Sequence, residues 1–320
     1  MRITQSMMKD QIVNNIDNVL RRISTLQRQA SSGNKFDLPS QDPSDAVLTV
    51  NYNAVLEKLK TYKSSLQQVQ NNFQGYDNIT GQIMAAVQQV NSLVVQAANG
   101  TNTPSDRAAI ADEIKQISKT IAQLGGTNVS GNYMFAGSSN SNPITSMVSG
   151  GSTIYYYTSN SATSARLSLN IGTVTLDSNV NVVDLFNYTQ TISGATQSAS
   201  LISYVTGSGG TVHTGLLDKI VKDLQNNNVS NLQSDLGALQ DYENSLSKVT
   251  TKIGATEQSL QSLMNSNESL NTYVTQLVSS AQGADMVKVL SDLALQETVY
   301  QAALQTSANS LLPTLANFLK

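Results

Sequence analysis

Apolar residues recur along most of this chain at alternating intervals of four and three residues. The longest run lies between residues 46 and 98, and only one of its members, Thr80, is neither apolar nor aromatic. Its members are Leu48, Tyr52, Val55, Leu59, Tyr62, Leu66, Val69, Phe73, Tyr76, Thr80, Ile83, Val87, Val90, Val94 and Ala97. This heptad spacing is typical of a helix that packs lengthwise on other helices. It predicts one rod about 80 Å long at 1.5 Å per residue.

Two shorter helices are predicted on either side of that rod. The first covers roughly residues 4–31 and stops at the turn sequence "SSGN". The second has a complete start signal, because Thr103 can cap it, Pro104 suits its first position and Asp106 can reach back to the cap. It then continues through apolar positions to Leu124. Both segments are predicted to be amphipathic helices whose apolar face packs against another part of the protein.

The C-terminal third of the chain repeats the helical pattern. Helix returns with "LLDKIVKDLQ" and continues over residues 229–280. A last apolar stripe then runs from Met286 to the sequence "SANSLLPTLANFLK", where Pro313 is expected to bend the final turns. The end of this sequence is therefore unusually apolar, and the pattern predicts a helix that needs a partner.

The middle of the chain follows a different pattern. Short runs rich in β-forming residues, such as "STIYYYT", "ARLSLNIG" and "TVTLDS", alternate with Gly, Ser and Asn. Between Gly125 and Val212 the charged residues are Arg166, Asp177 and Asp184. The predicted fold is mainly α with a β-rich insert, in which both chain ends form long antiparallel coiled-coil-like helices.

Five segments follow from these patterns. They are an N-terminal assembly helix and loop (1–40), the N-terminal half of a helical rod domain (41–128), the β-rich insert domain (129–214), the C-terminal half of the rod domain (215–284) and a C-terminal assembly helix (285–320).

Composition and charge narrow the function. Charged residues make up only 13% of the 320 residues, about half the usual share, and the net charge of −3 gives no basic surface for nucleic acid. There is no cysteine, which excludes disulfides and thiolate metal sites. Residues 1–35 have six basic and two acidic residues, whereas 229–320 have four and eight. These opposite charges favour an antiparallel return of the two ends.

Three stretches resemble the flagellin family of bacterial axial proteins. They are "RQASSGNKFDLPSQDPSDA", "TPSDRAAIADEIKQISKTIAQLGGTNVSGNYMFAGSSNSNPI" and "GADMVKVLSDLALQETVYQAALQTSANSLLPTLANFLK". The resemblance covers residues 1–145 and 214–320. The "GNYMFAG" ending before Pro143, and both termini, are more similar to the hook–filament junction branch of the family than to flagellin.

The resemblance implies a structural adaptor with no enzymatic activity and no cofactor. Its implied partners are copies of itself in a tubular ring, hook-associated protein 1, flagellin, and a cytoplasmic export chaperone at the C-terminal helix, with no nucleic acid and no membrane. It also implies an extracellular location after export through the flagellar type III apparatus, without a cleaved signal peptide. In such proteins the two terminal helices line the centre of a tube and become ordered when neighbours arrive.

The apolar stripes of the terminal helices are the predicted assembly interface. An isolated helix over 4–31 is marginal in water. Burial of a seam residue contributes about 1.5–3 kcal/mol, against an ordering cost of about 1–2 kcal/mol per residue, so a second stripe must pack opposite. The N-terminal set is Ile12, Ile16, Val19, Ile23 and Leu26. The C-terminal set is Met286, Leu290, Leu293, Tyr300, Leu304, Leu311, Leu315 and Phe318.

Other interpretations remain open at this point. A filament flagellin, or a stand-alone coiled-coil tether or adhesin, would share the helical pattern. His213 is the one histidine and has no second ligand beside it, so we expect a surface or hinge residue rather than a base. We expect Asp177 and Asp184 to be turn residues, 207–210 ("GSGG") to be a linker, and the tyrosines of "IYYYT" to alternate on an exposed strand face.

Overall fold

The structure is a computed structural model that describes residues 5–149, 152–171, 174–192, 195–206 and 211–311. Its helices are α1 (Gln5–Ser32), α2 (Pro43–Ala98), α3 (Pro104–Gly125), α4 (Val182–Phe186), α5 (Leu216–Gln225), α6 (Val229–Gln282) and α7 (Met286–Leu311). The predicted rods are thus confirmed within a few residues at each end, and the fold is mainly α, as predicted.

The β-rich insert is confirmed as well. Its strands are β1 (Asn128–Val129), β2 (Asn132–Tyr133), β3 (Ile144–Ser149), β4 (Ser152–Ser159), β5 (Ser168–Ile171), β6 (Val174–Asp177), β7 (Asn187–Ile192), β8 (Ala195–Ser200), β9 (Ser203–Thr206) and β10 (Val212–His213). One sheet has the order β10-β9-β4-β3, with β4 and β9 parallel. The pairs β1–β2, β5–β6 and β7–β8 are separate antiparallel hairpins.

The chain divides into two compact units. We call residues 1–60 with 267–320 the terminal unit, and 61–266 the central unit. The central unit contains one continuous hydrophobic core that extends in sequence from Leu66 to Leu260. The predicted seam of α2 supplies much of it, and Thr80 fits because its buried hydroxyl donates a 2.9 Å hydrogen bond to the Tyr76 carbonyl.

The start of α3 follows its sequence signal. The Asp106 N–H donates to the Thr103 hydroxyl at 3.3 Å, and the Thr103 N–H donates to the Asp106 carboxylate at 2.9 Å. Pro104 occupies the first helical position. This reciprocal capping box satisfies two backbone donors that an uncapped helix would leave unpaired.

The predicted seam is wrong at two positions near the beginning of α2. Leu48 and Val55 are 41% and 40% exposed, and Ala46 and Thr49 are buried instead, whereas Leu59 is buried as predicted. In α6 the residues that continue the four- and three-residue spacing from Leu246 to Ala281 are buried or half-buried, except the exposed Leu270.

Candidate assembly interface

The two terminal helices α1 and α7 pack against each other in the terminal unit. Just beyond the end of α1 and just before the start of α7, the chain forms an antiparallel bridge between Asn34 and Gly283. The Lys35 N–H donates to the Gln282 carbonyl at 2.6 Å, and the Ala284 N–H donates to the Gly33 carbonyl at 2.9 Å. The helices therefore run in opposite directions from this bridge, as the opposite charges of the two ends predict.

A charged cluster holds the loop that follows this bridge. The Lys35 ammonium lies 2.7 Å from a carboxylate oxygen of Asp42 and 2.7 Å from one of Asp45. Asp42 also accepts the Asp45 N–H at 3.2 Å and so caps the start of α2. The hydrogen bond from Lys35 lowers the pKa of Asp42 below its ordinary value. The loop is thereby tied to both the bridge and the rod.

The predicted N-terminal stripe lies on the half-buried side of α1. Ile23 is buried, and Ile12, Ile16, Val19 and Leu26 are half-buried. Since α7 is the element with which α1 makes its principal contacts, these five residues form the inner seam of the helix pair. Their partner stripe is thus supplied within the same chain.

The predicted C-terminal stripe of α7 is covered unevenly. Leu293 and Tyr300 are half-buried, whereas Met286, Leu290 and Leu304 are 37%, 52% and 44% exposed. With 3.6 residues per turn these three residues lie on the same side of the helix as Leu293, toward the edge of the seam with α1.

Val289 is a seam residue that the predicted set left out. It is 7% exposed and precedes Leu293 by one helical turn. The sequence shows a four-residue spacing from Val289 to Leu293, but it shows the same spacing from Met286 to Leu290. The spacing alone therefore does not identify which residues face α1.

The last residues of the predicted C-terminal stripe lie at or beyond the end of the described chain. Leu311 is the final residue of α7, and nothing further is described of its side chain. Leu315, Phe318 and Pro313 lie outside the described residues.

Both terminal helices keep further apolar residues on their outer faces. On α1, Val13 and Leu20 are 48% and 41% exposed at heptad spacing. On α7, Leu295 and Val299 lie one turn apart and are 59% and 41% exposed. Val287 of α7 is the most exposed of all, at 81%. A helix that is apolar around most of its circumference is normally surrounded by protein, and here only one side is covered by α1.

Exposed apolar side chains are concentrated in the terminal unit. Among the described residues, 22 large hydrophobic side chains are exposed, and 16 of them lie in this unit, which supplies about a third of the described chain. They are Met7, Val13, Leu20, Leu38, Val47, Leu48, Val50, Val55, Leu270, Tyr273, Met286, Val287, Leu290, Leu295, Val299 and Leu304. Single exposed apolar residues are ordinary, but such a concentration marks a protein contact surface.

The buried apolar residues are distributed in the opposite way. Of the 47 buried hydrophobic residues in the described chain, only seven belong to the terminal unit. They are Ile23, Phe36, Ala46, Leu59, Val274, Ala281 and Val289. The terminal unit thus exposes most of its large apolar side chains while the central unit buries them.

The two aspartates of the insert are wrongly predicted as turn residues. Asp177 ends β6 and Asp184 lies in α4. Arg166 pairs with both, at 3.5 and 2.9 Å, and Asp177 also pairs with Lys252 of α6 at 2.9 Å. Lys252 and Arg166 lower the pKa of Asp177. These contacts fasten the insert to α6 and leave no free carboxylate pair for acid–base chemistry.

The other residues considered in the sequence have the following places in the structure. His213 is an exposed residue of β10, as expected, and its ring stacks on Tyr204 with centroids 4.6 Å apart. The expected exposed tyrosine face is wrong at Tyr157, which is fully buried. The predicted linker over 207–210 lies outside the described residues. Within the described ranges, no three metal-binding side chains come together, and no helix is both long and apolar enough to cross a membrane.

Sequence comparison relates this chain to flagellar proteins. Residues 3–140 match the family described as the bacterial flagellin N-terminal helical region. Flagellar hook-associated protein 3 of Salmonella typhimurium is 29% identical over 147 residues, which cover 43% of this chain and 44% of that protein. A flagellin of Clostridium tyrobutyricum is 23% identical over 125 residues, covering 39% and 33%, respectively. The chain thus spans less than half the length of the curated relatives it matches.

Structural comparison points the same way for the fold. A candidate flagellar hook-associated protein of Vibrio parahaemolyticus superposes with a TM-score of 0.60 at 15% identity, over 76% of this chain and all of that one. At this identity the likeness concerns the fold alone. The resemblance to the flagellin family is confirmed by these matches.

Proposed function

We propose that this chain is a structural axial protein of the bacterial flagellum that acts as an adaptor at the hook–filament junction, in the manner of hook-associated protein 3 (FlgL). In this proposal it connects hook-associated protein 1 to flagellin, lies outside the cell, and has no enzymatic activity. The observation that carries the proposal is the set of 16 exposed large apolar residues within the described part of the terminal unit. A subunit that acts alone has no use for such a surface, whereas a subunit of a tube buries it against its neighbours.

The assembly contacts follow from the two sides of α7. Its inner side is already covered by α1, so Ile12, Ile16, Val19, Ile23 and Leu26 support the helix pair from within. The more exposed residues of the predicted interface, Met286, Leu290 and Leu304, then meet neighbouring copies. Leu295 and Val299 extend this contact around the helix. Leu311, Leu315 and Phe318 remain part of the proposed interface.

Low charge suits contacts of this kind. Many copies of one chain packed side by side would suffer repulsion between strongly charged faces of one sign. Amide and hydroxyl groups, in which this chain is rich, can instead pair in several arrangements. A junction has different neighbours below and above, and adaptable polar contacts around apolar stripes accommodate both.

The apolar C-terminal helix also has to be protected before assembly. We propose that a cytoplasmic export chaperone covers it and that the chain passes unfolded through the flagellar type III apparatus. Deletion of residues 286–320 should abolish the chaperone complex in a pull-down from the producing cell. An undiminished complex after that deletion would place the chaperone site elsewhere in the chain.

A filament flagellin is the second candidate, because residues 3–140 match the flagellin N-terminal region. Immunogold electron microscopy of the producing bacterium separates the two. The junction role predicts label in few copies at the distal end of the hook, whereas a filament subunit would be labelled along the whole filament.

A stand-alone tether would form a stable oligomer at micromolar concentration, whereas the junction adaptor should sediment as a monomer.

A further inference from the structure

Asp235, near the beginning of α6, has an unusual environment. The residue is only 1% exposed, and one carboxylate oxygen, Oδ1, pairs with the ammonium of Lys219. No donor among the described residues reaches the other oxygen, Oδ2. A buried polar atom without a hydrogen bond destabilises the fold, and more so when it is charged. Native proteins rarely retain such an atom without a reason.

This carboxylate lies in the wall of a cavity of about 290 Å³ in the central unit. Tyr188 and Gln190 of β7, Tyr204 of β9, His213 of β10 and Lys219 of α5 also line the cavity. One part of the wall is aromatic, since the Tyr204 and His213 rings are stacked at an interplanar angle of 15°. The size is close to the lower limit of small-molecule sites, so any ligand must be small.

The local charges favour a cation as that ligand. Lys219 is shared by two carboxylates, because its ammonium also lies 3.1 Å from Asp223. Both oxygens of Asp223 have partners, as Asn231 donates to the second one at 3.0 Å. Asp235 Oδ2 has no such donor within the described parts of the chain. Burial raises the pKa of Asp235, and the neighbouring carboxylate of Asp223 raises it further, so a bound cation would favour the charged form of Asp235.

We propose that this cavity binds an alkylammonium group, which donates an N–H to Asp235 Oδ2 while its alkyl chain lies against Tyr188 and Tyr204. A carboxylate beside aromatic faces is a favourable environment for such a cation, since the rings attract positive charge and the carboxylate accepts the hydrogen bond. The group belongs either to a free amine or to a lysine side chain of another polypeptide. This proposal concerns the central unit and does not depend on the flagellar role.

Amide NMR of the full-length chain tests the proposal with propylammonium chloride as probe. We expect saturable shifts at the amides of Tyr188, His213 and Asp235. Sodium chloride at equal ionic strength and 1-propanol should produce neither the same shifts nor saturation. N-acetyl-lysine methylamide is the second arm, because its binding shows that a lysine in a polypeptide is accepted, and its failure to bind restricts the site to free amines.

Variants make the test specific. Asp235→Asn should weaken propylammonium binding at least about tenfold, which corresponds to losing about 1.4 kcal/mol from one charge-assisted hydrogen bond. Glu257→Gln removes a charge from the same helix far from the cavity lining and should bind as the original chain does. Tyr204→Leu serves if Asp235→Asn fails to fold, and it should weaken binding several-fold.

Three results would overturn the proposal. The first is the absence of saturable shifts, which would mean that the cavity holds water only. The second is unchanged affinity in a folded Asp235→Asn or Tyr204→Leu variant. The third is equal shifts with 1-propanol, which would refute recognition of the cation.

Discussion

Negative charge on the outer face of α7 should block assembly without unfolding the chain. Leu295 and Val299 are 59% and 41% exposed, so the double variant Leu295→Asp/Val299→Asp removes the packing of only the covered fractions of the two side chains. On the scale of burial energies these fractions amount to about 2 kcal/mol, and we expect the free energy of unfolding to fall by about that amount. Circular dichroism should show the same helix content, and chemical denaturation should give a lower midpoint for a chain that is still folded in water.

The expected effect on assembly is much larger. Full burial of a leucine or valine side chain contributes about 1.5–3 kcal/mol, so the fractions still exposed leave about 2 kcal/mol to be gained against a neighbour. The aspartates lose this gain and add carboxylates whose burial without a partner costs several kcal/mol. A total loss of about 4 kcal/mol or more corresponds to an affinity about a thousandfold lower per contact.

Isolated flagella provide the assay. Cells that produce the double variant in place of the original chain should carry little of it on purified hooks and filaments, measured by immunoblot against a hook protein. Val129→Asp/Val148→Asp is the matched control, since these residues are 54% and 75% exposed in the central unit and the variant receives the same two new charges. Incorporation of the double variant at the control level would refute the role assigned to the outer face of α7.

Three further changes test the internal architecture. Gly283→Ala would place a Cβ 2.3 Å from the Ser279 carbonyl oxygen, and we expect calorimetry to show a stability loss of about 1–3 kcal/mol. Thr103→Ala removes the cap of α3 and should cost about 1 kcal/mol, whereas Thr103→Ser should not. Lys252→Gln tests the pH dependence of Asp177, whose lowered pKa stabilises the fold above the ordinary value near 3.8 and loses that effect as pH falls through the folded pKa. Denaturation between pH 7 and 3 should show a shallower acid loss in that variant.

Much of the helical architecture could be predicted because each helix carries its signal locally. The heptad spacing identified α2 and α6, and Thr103 marked the start of α3. The phase of α7 could not be predicted in the same way. Its apolar residues lie on several sides, so both Met286–Leu290 and Val289–Leu293 fit a stripe, and only the position of α1 decides between them.

The insert was less predictable because its decisive contacts are distant in sequence. The parallel pairing of Tyr157 with Tyr204 depends on where the intervening chain packs. The same holds for the ion pair of Asp177 with Lys252, which are 75 residues apart. Runs of β-forming residues indicate that strands exist, but neither strand order nor ion-pair partners have a local signal. The short helix α4 was not predicted because its five residues include two β-branched valines and only one strong helix former, Leu185.

α7 has more apolar residues than its pairing with α1 requires. This surplus is the strongest argument that α7 makes further protein contacts. Pairing with α1 requires one stripe, which Val289, Leu293 and Tyr300 supply. Polar residues at Leu295 and Val299 would leave that pairing intact and would make the separate chain more soluble. The sequence instead places large aliphatic side chains there, in a unit whose described residues include only seven buried hydrophobic ones. Such positions favour burial that a single chain does not provide, and neighbouring copies in a tube would supply it.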